Sequence, residues 1–356
     1  MHRRGEIGAV ALGAGVVLAY TILVLSTGRI GLADYAGLLS EYLAGAFFLL
    51  IVMGGACVFV QLYRNRPRNG EEGPGPIAAI VGDIRARWCR DCFASLFWPP
   101  LLFAFLMASF NAYKQMVLPI AGFRFDHALA AADRALFLGH DPWRVTHAIF
   151  GSPQATLFID HAYHGWFAPM AVGVVLCAWL PASTYRLRAQ YLLSYIAVWI
   201  GIGSVLAFLL PSAGPCFYNE LVGPSPSFDE LMRRLADLQA ASGGKFTAFN
   251  SQAMLLEARG SPHLSIGGGI SAMPSVHNGL AVLFAIAAFN INRIVGWLFA
   301  AYALLIWIGS IHLGWHYALD GIVSVVLTVL IWGAMGKVAD WLDRPVAELG
   351  TQPALT

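Results

Sequence analysis

Long apolar stretches bounded by polar or charged residues recur along the 356-residue chain. A helix needs about 20 mostly apolar residues to cross the hydrocarbon core of a bilayer, and eight stretches approach that length. The pattern predicts an all-α, polytopic membrane helix bundle with about eight transmembrane helices. The predicted spans are residues 8–25, 40–62, 93–112, 163–181, 190–210, 275–290, 294–311 and 318–336.

Composition supports the membrane class, since 58% of residues are apolar and only 12% are charged. Soluble domains have about 45–50% apolar and about 25% charged residues, so a soluble globule is excluded, as are disordered and fibrous proteins. A net charge of +2 is too small to indicate a nucleic-acid partner. The bilayer is therefore the expected partner, and the sequence leaves the oligomeric state open.

A linker rich in Pro, Gly and charged residues, at 64–91, separates the first two predicted helices from the others. We expect 1–92 to form an N-terminal transmembrane hairpin with a basic cytoplasmic linker. Residues 93–338 would form a six-helix catalytic core, and 339–356 a cytoplasmic tail. The first apolar stretch is long and lacks a small-residue cleavage site, so we expect it to be a retained helix.

Two of the five cysteines, Cys89 and Cys92, form a CxxC pair at the end of this linker. Such a pair is half of a zinc site, but no second pair or His-x-x-His stands near it. The sequence therefore predicts no metal, no cofactor and no disulfide framework.

The distribution of Lys and Arg predicts the orientation, because cytoplasmic loops carry an excess of both. With a cytoplasmic N-terminus, most of the 22 basic residues fall in short cytoplasmic segments, and an even helix count makes the C-terminus cytoplasmic as well. Arg far outnumbers Lys and Ala and Gly abound, which favours a bacterial inner membrane with a periplasmic site. The cytoplasmic basic residues are Arg3, Arg4, Arg64, Arg66, Arg68, Arg85, Arg87, Arg90, Arg186, Arg188, Arg293, Lys337 and Arg344.

In this orientation, every histidine except His2 falls on or near the external side. Two long external segments, 113–162 and 211–274, are rich in Pro, Gly, His and aromatic residues. Segments of this length are usually functional or disordered, and their aromatic content argues against disorder. We expect them to be interfacial elements that cover a site. The external histidines are His127, His140, His147, His161, His164, His263, His277, His312 and His316.

The first candidate site residues, Ser275 and His277, open the sixth predicted helix directly after Pro274. Proline suits a first helical turn, and the free N–H groups of a helix N-terminus form an anion site. A hydroxyl and an imidazole there could hold a phosphate and donate a proton. The alternative is a capped helix with an interfacial histidine.

The second candidate group, His312, His316 and Asp320, lies between the last two predicted helices. If this stretch is helical, the three share one face at i, i+4 and i+8. A carboxylate near an imidazole can fix its tautomer and sharpen it as a nucleophile, and an acid inside an apolar helix is costly unless paired. The alternative is a structural His–Asp pair between helices. The two groups start and end one helical hairpin, so His277 and His316 can face the same pocket.

The Pro-Ser-Val-His stretch that ends at His277, followed by the His-Leu-Gly-Trp-His-Tyr-Ala-Leu-Asp-Gly stretch at 312–321, resembles two signature motifs of the type 2 phosphatidic acid phosphatase superfamily. The branch that the chain resembles most includes inositol phosphorylceramide synthase. The resemblance extends loosely from Phe93 to Met335. It includes the stretch Asp133-Arg134-Ala135-Leu136-Phe137 with Asp141-Pro142-Trp143, and the loop 211–215.

The resemblance implies a metal-independent enzyme with a histidine nucleophile. His316 would attack phosphorus and become a phosphohistidine, and Asp320 would orient it. His277 would protonate the leaving alcohol and then act as base toward the acceptor, while Ser275 would hold phosphoryl oxygens.

The chain also departs from the superfamily pattern. The first motif, Lys-x6-Arg-Pro, is absent, but Lys114 stands where its lysine is expected and Arg124 follows at a longer spacing. We expect both to bind phosphate, although snorkelling at the interface also explains Lys114. Ser310 replaces the arginine of the third motif, and His312 could supply the lost donor.

Four readings of function follow. The favoured one is a phosphotransferase that moves a phospho-head group between membrane lipids in sphingolipid or phospholipid synthesis; a lipid or polyprenyl phosphate phosphatase uses the same chemistry with water as acceptor. A zinc-dependent membrane hydrolase could instead use His277, His312, His316 and Asp320 as ligands. A transporter or scaffold is less favoured, because the predicted spans contain almost no charged residues.

Overall fold

A computed structural model describes residues 2–64, 77–78, 81–82, 96–180, 184–261 and 263–344. Most of the predicted linker, with Cys89 and Cys92, and the last part of the predicted C-terminal tail lie outside these residues. The described chain is all-α, as predicted, and its helices are numbered here in chain order. They are α1 His2–Ser26, α2 Leu32–Arg64, α3 Trp98–Met116, α4 Asp126–Leu136, α5 Pro142–Phe150, α6 Pro153–His164, α7 Phe167–Leu176, α8 Tyr185–Leu209, α9 Pro226–Ala241, α10 Thr247–Glu257, α11 Val276–Phe289, α12 Arg293–His312 and α13 Ala318–Leu342.

Six of the described helices, not the predicted eight, are long and apolar enough to cross a membrane: α1, α2, α3, α8, α12 and α13. The prediction was wrong for α7, with 10 residues, and α11, with 14. At 1.5 Å per residue they measure about 15 and about 21 Å, short of the roughly 30 Å hydrocarbon core. The predicted span 163–181 is not one helix, because the apolar stretch begins in the last turn of α6 and continues past the end of α7.

One end of the bundle, called here the opposite end, holds the N-terminus of α1 and the C-terminus of α13. Arg186 in the first turn of α8 forms an ion pair with Asp340, with 2.6 Å between Nε and Oδ1. The buried Arg188 pairs with Glu6 of α1. The other end, called here the site end, holds the connections between α3 and α7, between α8 and α11, and between α12 and α13.

The two N-terminal helices are tied to the bundle by buried hydroxyl groups. Tyr20 of α1 lies 2.7 Å from the Ser204 hydroxyl of α8. The Ser109 hydroxyl of α3 lies 2.7 Å from Thr21 and 2.9 Å from Tyr35. Such buried polar contacts fix the register between helices where apolar packing alone permits sliding.

At the site end, the two long external segments fold into short helices and turns that are held by three buried aspartates. Each carboxylate accepts hydrogen bonds from two successive backbone N–H groups of a distant part of the chain. Two of them cap helix N-termini, which would otherwise leave those N–H groups unpaired. The pairs are Ala213 and Gly214 for Asp126, Ala318 and Leu319 for Asp133, and Thr247 and Ala248 for Asp160.

Candidate active site

The stretch from His312 to Asp320 is not one helix, contrary to the expectation that its three polar residues share a helical face. Helix α12 ends at His312, and α13 begins only at Ala318. Between them Gly314 adopts a φ of +74°, a left-handed conformation that favours glycine. The turn sends His312 and His316 in different directions.

His316 and Asp320 nevertheless form a pair. The Nδ1 atom of His316 lies 3.3 Å from Oδ2 of Asp320, and the same oxygen accepts the Tyr317 N–H at 3.0 Å. His316 is 6% exposed and Asp320 is 0% exposed. A carboxylate on Nδ1 holds the proton there and leaves Nε2 with a lone pair, which is the tautomer a nucleophile requires.

His277 lies beside this pair, because α11 and α12 form an antiparallel hairpin. The ring centroids of His277 and His316 are 6.0 Å apart. Aromatic rings enclose His277 on other sides: the Trp166 ring is 4.1 Å away and the Tyr163 ring 5.1 Å away. The Trp166 indole N–H also donates to the His277 carbonyl at 3.1 Å, which fixes the backbone at the start of α11. The structure thus brings two imidazoles and a carboxylate together.

Ser275 is fully buried and is the N-cap of α11. Its hydroxyl oxygen accepts from the Asn278 backbone N–H at 3.3 Å and from the Asn278 amide at 2.9 Å. The Asn278 amide also reaches the Ser310 hydroxyl at 3.4 Å, and Ser310 donates to the Trp307 carbonyl at 2.7 Å. Ser275 therefore orders the helix start, and its own proton stays free to be donated.

Lys114 lies in the last turn of α3, close enough to His277 to interact with it electrostatically. No hydrogen bond or ion pair of its ammonium group occurs among the described residues. The glycine-rich loop before α11 runs over it: a Cβ at Gly269 would lie 2.8 Å from the Lys114 carbonyl oxygen. Lys114 is thus an unpaired cation beside the two histidines.

A second basic group near His277 is His164, which interacts with it electrostatically. Its Nδ1 atom lies 3.2 Å from Oδ1 of Asp160. Burial lowers the pKa of His164 and the hydrogen bonds to Asp160 raise it, and the net direction is upward. The charge that His164 gains on protonation is balanced by the Asp160 carboxylate with which it is paired.

The structure does not bring the other two predicted phosphate ligands to the histidine pair. Arg124 is exposed, and no hydrogen bond or ion pair of its side chain occurs among the described residues. The His312 ring is fully buried in a different cluster, where its nitrogens lie 2.9 Å from the Thr156 hydroxyl and 3.3 Å from the Thr146 hydroxyl. It also stacks on His147 with 4.0 Å between centroids.

The sequence reasoning missed the aromatic wall of the site. Tyr163 and Trp166 belong to a His-Ala-Tyr-His-Gly-Trp-Phe run that was assigned to the start of a membrane span. The density of rings and histidines in that run was the available signal. Hydropathy does not distinguish this wall from the end of a membrane span, because Tyr, Trp and Phe are also common at a membrane interface.

A metal site with His277, His312, His316 and Asp320 as ligands is not assembled, because His312 faces its threonine partners. Among the residues that the structure describes, no group of three or more His, Cys, Asp or Glu side chains has a spacing that could hold a metal ion.

A family model described as "PAP2 superfamily" matches residues 127–334, which is more than half of the chain. The match includes both histidines of the pair, Asp320 and the aromatic wall. It supports the superfamily and gives nothing on the inositol phosphorylceramide synthase-like branch, which stays a prediction. Neither the curated proteins nor the solved structures give a match.

Proposed function

The chain belongs to the PAP2 superfamily, and from that premise we propose that it is a membrane lipid phosphotransferase that moves a phospho-head group between lipids. Membership suggests a membrane lipid phosphatase or phosphotransferase, usually metal-independent with a histidine nucleophile. The observation that carries the proposal is the 6.0 Å separation of the His277 and His316 rings, with Asp320 bound to His316. At that separation a single phosphoryl group can contact both rings.

In the first half-reaction, His316 Nε2 attacks phosphorus while the bond from phosphorus to the departing lipid oxygen breaks. Burial lowers the pKa of His277 in the free site, so this ring is protonated only when the bound phosphate anion offsets that effect. The protonated ring then gives its proton to that oxygen, so the first lipid leaves as an alcohol. Asp320 keeps Nδ1 protonated and stabilises the positive charge that the imidazole gains when it forms the phosphohistidine.

In the second half-reaction, the neutral His277 takes the proton from the hydroxyl of the acceptor. The acceptor oxygen attacks phosphorus, the bond from phosphorus to His316 Nε2 breaks, and the electron pair returns to the imidazole. Both histidines are then in their starting states. Water in place of the alcohol would complete a hydrolysis by the same steps.

The proposed phosphate-binding groups are Lys114 and the N-terminus of α11, where Ser275 can also donate its proton. Backbone N–H groups and the helix dipole favour an anion at such an end. Lys114 adds positive charge next to His277.

The charges around the site favour a phosphodiester, the substrate that transfer requires. Two arginines at the site end, Arg134 and Arg144, are already paired with Asp141 and Glu230. Lys114 is the unpaired side-chain cation that the described residues place beside His277. Apart from the proton that His277 carries and gives to the leaving oxygen, Lys114 is one cation, and it balances the single charge of a phosphodiester. A phosphomonoester carries nearly two negative charges at pH 7.

To test this proposal, purified protein is incubated with a phospholipid that is labelled in its phospho-head group. The acceptor is either a lipid alcohol or water alone. We expect label in a new lipid, and an acid-labile phosphoenzyme on rapid quenching. His316→Ala should remove both products, and His140→Ala, which changes an exposed histidine, should remove neither. Release of labelled water-soluble phosphate irrespective of acceptor would identify a phosphatase. Retained turnover in His316→Ala would defeat the covalent mechanism.

We also propose that the site faces the periplasm of an inner membrane and that both termini are cytoplasmic. The basic residues Arg186, Arg188, Lys337 and Arg344 all lie toward the opposite end, as the excess of basic residues on the cytoplasmic side requires. Cysteine introduced at the exposed His140 should react with an impermeant maleimide in intact cells. Protection there, with labelling only after lysis, would reverse the orientation.

A further inference from the structure

Two aromatic side chains beside the histidine pair carry buried donors that have no partner. The Tyr163 hydroxyl and the Trp315 indole N–H make no hydrogen bond with any described residue, although both atoms are shielded from solvent. Tyr163 is only 4% exposed. Burying a polar group without a partner is costly, so an unpaired donor at a site usually has a ligand as its partner.

Three other aromatic donors near the site are satisfied, although the indole N–H of Trp199, whose ring lies 6.2 Å from that of Trp166, is also unpaired. Trp166 donates to the His277 carbonyl, Trp307 to the Ala318 carbonyl and Tyr302 to the Ala162 carbonyl, at 3.1, 3.0 and 2.9 Å. The fold therefore provides backbone carbonyl acceptors for buried aromatic donors at this end of the bundle. It leaves unpaired the two that stand next to the histidines.

Both rings belong to the wall of the site. Tyr163 stacks on His277 with 5.1 Å between centroids and 17° between planes, and on Trp315 with 6.5 Å and 7°. Trp315 directly precedes His316 in the chain. The Tyr163 hydroxyl is also within electrostatic range of Asp320, which binds His316. Tyr163 therefore contacts His277, the proposed acid and base, and lies near Asp320, the partner of the proposed nucleophile His316.

The close approach of Tyr163 depends on Gly309 of α12. A Cβ at that position would lie 3.2 Å from Cδ2 of Tyr163 and 3.2 Å from Cγ2 of Ile159. The absence of a side chain there lets α6 carry the tyrosine ring into the site. Burial raises the pKa of the Tyr163 hydroxyl well above its ordinary value, so this group donates a proton in hydrogen bonds and does not act as a base.

We propose that Tyr163 and Trp315 donate hydrogen bonds to the phosphoryl oxygens of the substrate and form a neutral wall of its site. This inference rests on the proposed function. Neutral donors stabilise the charge that develops on those oxygens in the transition state without adding a second cation. They thus keep the charge of the site matched to a phosphodiester.

The test compares Tyr163→Phe with Tyr302→Phe. Each removes one hydroxyl, but only Tyr302 has a protein partner. We expect Tyr163→Phe to lower kcat/KM for a labelled phosphodiester lipid about 10- to 100-fold without lowering Tm, because no protein hydrogen bond is lost. Tyr302→Phe should lower Tm and leave kcat/KM near the wild-type value. Trp315→Phe should resemble Tyr163→Phe in activity.

A second readout, the rise in Tm with orthovanadate, a phosphoryl analogue, does not depend on turnover. The rise should be smaller in Tyr163→Phe than in wild type. An equal rise and an unchanged kcat/KM would overturn the inference and leave the proposed function intact. A lower Tm in Tyr163→Phe that accounts for the lost activity would also overturn it, as it would show a structural hydroxyl. A wild-type protein with neither turnover nor a vanadate response would refute the proposed function itself.

Discussion

Asp133 caps the helix that begins at Ala318: its Oδ2 atom accepts the Ala318 backbone N–H at 2.7 Å, across 185 positions of sequence. The other oxygen accepts the Leu319 N–H at 3.0 Å. Helix α13 starts here and carries Asp320 in its first turn, so a residue of the short helix α4 sets where the partner of His316 lies. The cap thus links the covering segment to the proposed catalytic pair.

This cap predicts a pH-dependent stability. Burial raises the pKa of Asp133 to about 6, although the two backbone N–H groups oppose the shift. A carboxyl group with a higher pKa in the folded protein binds more protons when folded, so its contribution to stability falls as pH rises from about 4 to about 6. The Tm of wild type minus that of Asp133→Asn should decrease over this range and then level off. A difference that increases with pH would contradict the assignment.

Asp320→Asn should slow phosphoryl transfer on the order of 10³-fold while the protein stays folded. The amide oxygen can still accept from Tyr317 and His316, but a neutral amide does not stabilise the cationic imidazole. Single-turnover rates and Tm values measure the two effects. Asp229→Asn, at an exposed position of α9, is the control. An unaltered rate in Asp320→Asn would make this carboxylate structural.

Lys114→Met should lower kcat/KM about 100-fold, because the unpaired cation beside His277 is lost from a site with little water to replace it. Arg124→Ala should remain within about twofold of wild type, since removing an exposed charge without contacts costs little. Steady-state kinetics on labelled lipid distinguish the two variants. The reverse ranking would restore Arg124 as the phosphate ligand and reduce Lys114 to an interfacial lysine.

His312→Gln should destabilise the protein and leave phosphoryl transfer nearly unchanged. The substitution disturbs the hydrogen bonds to Thr156 and Thr146 and the stack on His147, at a cost of about 1–3 kcal/mol. We expect a lower Tm and a KM within about threefold of wild type. Thr156→Val, which removes one partner and keeps the histidine, should lower Tm in the same way. A large rise in KM at unchanged Tm would place His312 in phosphate binding after all.

The sequence by itself determined the all-α membrane class, because long apolar runs carry that information locally. It also placed His277 and His316 near each other, since they lie at the two ends of one helical hairpin. Both inferences depend only on residues that are close in the sequence, within one apolar run or one hairpin of two neighbouring helices.

The tertiary structure alone decided which polar residues meet the histidine pair. Gly314 breaks the helix that sequence spacing assumed, and this turn separates His312 from His316. Tyr163 reaches His277 across more than a hundred residues, and only packing against Gly309 brings it there. The predicted span at α7 was likewise wrong, because a hydropathy average over an apolar stretch does not show where one helix ends and the next begins. Long-range contacts of this kind depend on the shapes of several elements at once, so no single stretch of sequence encodes them.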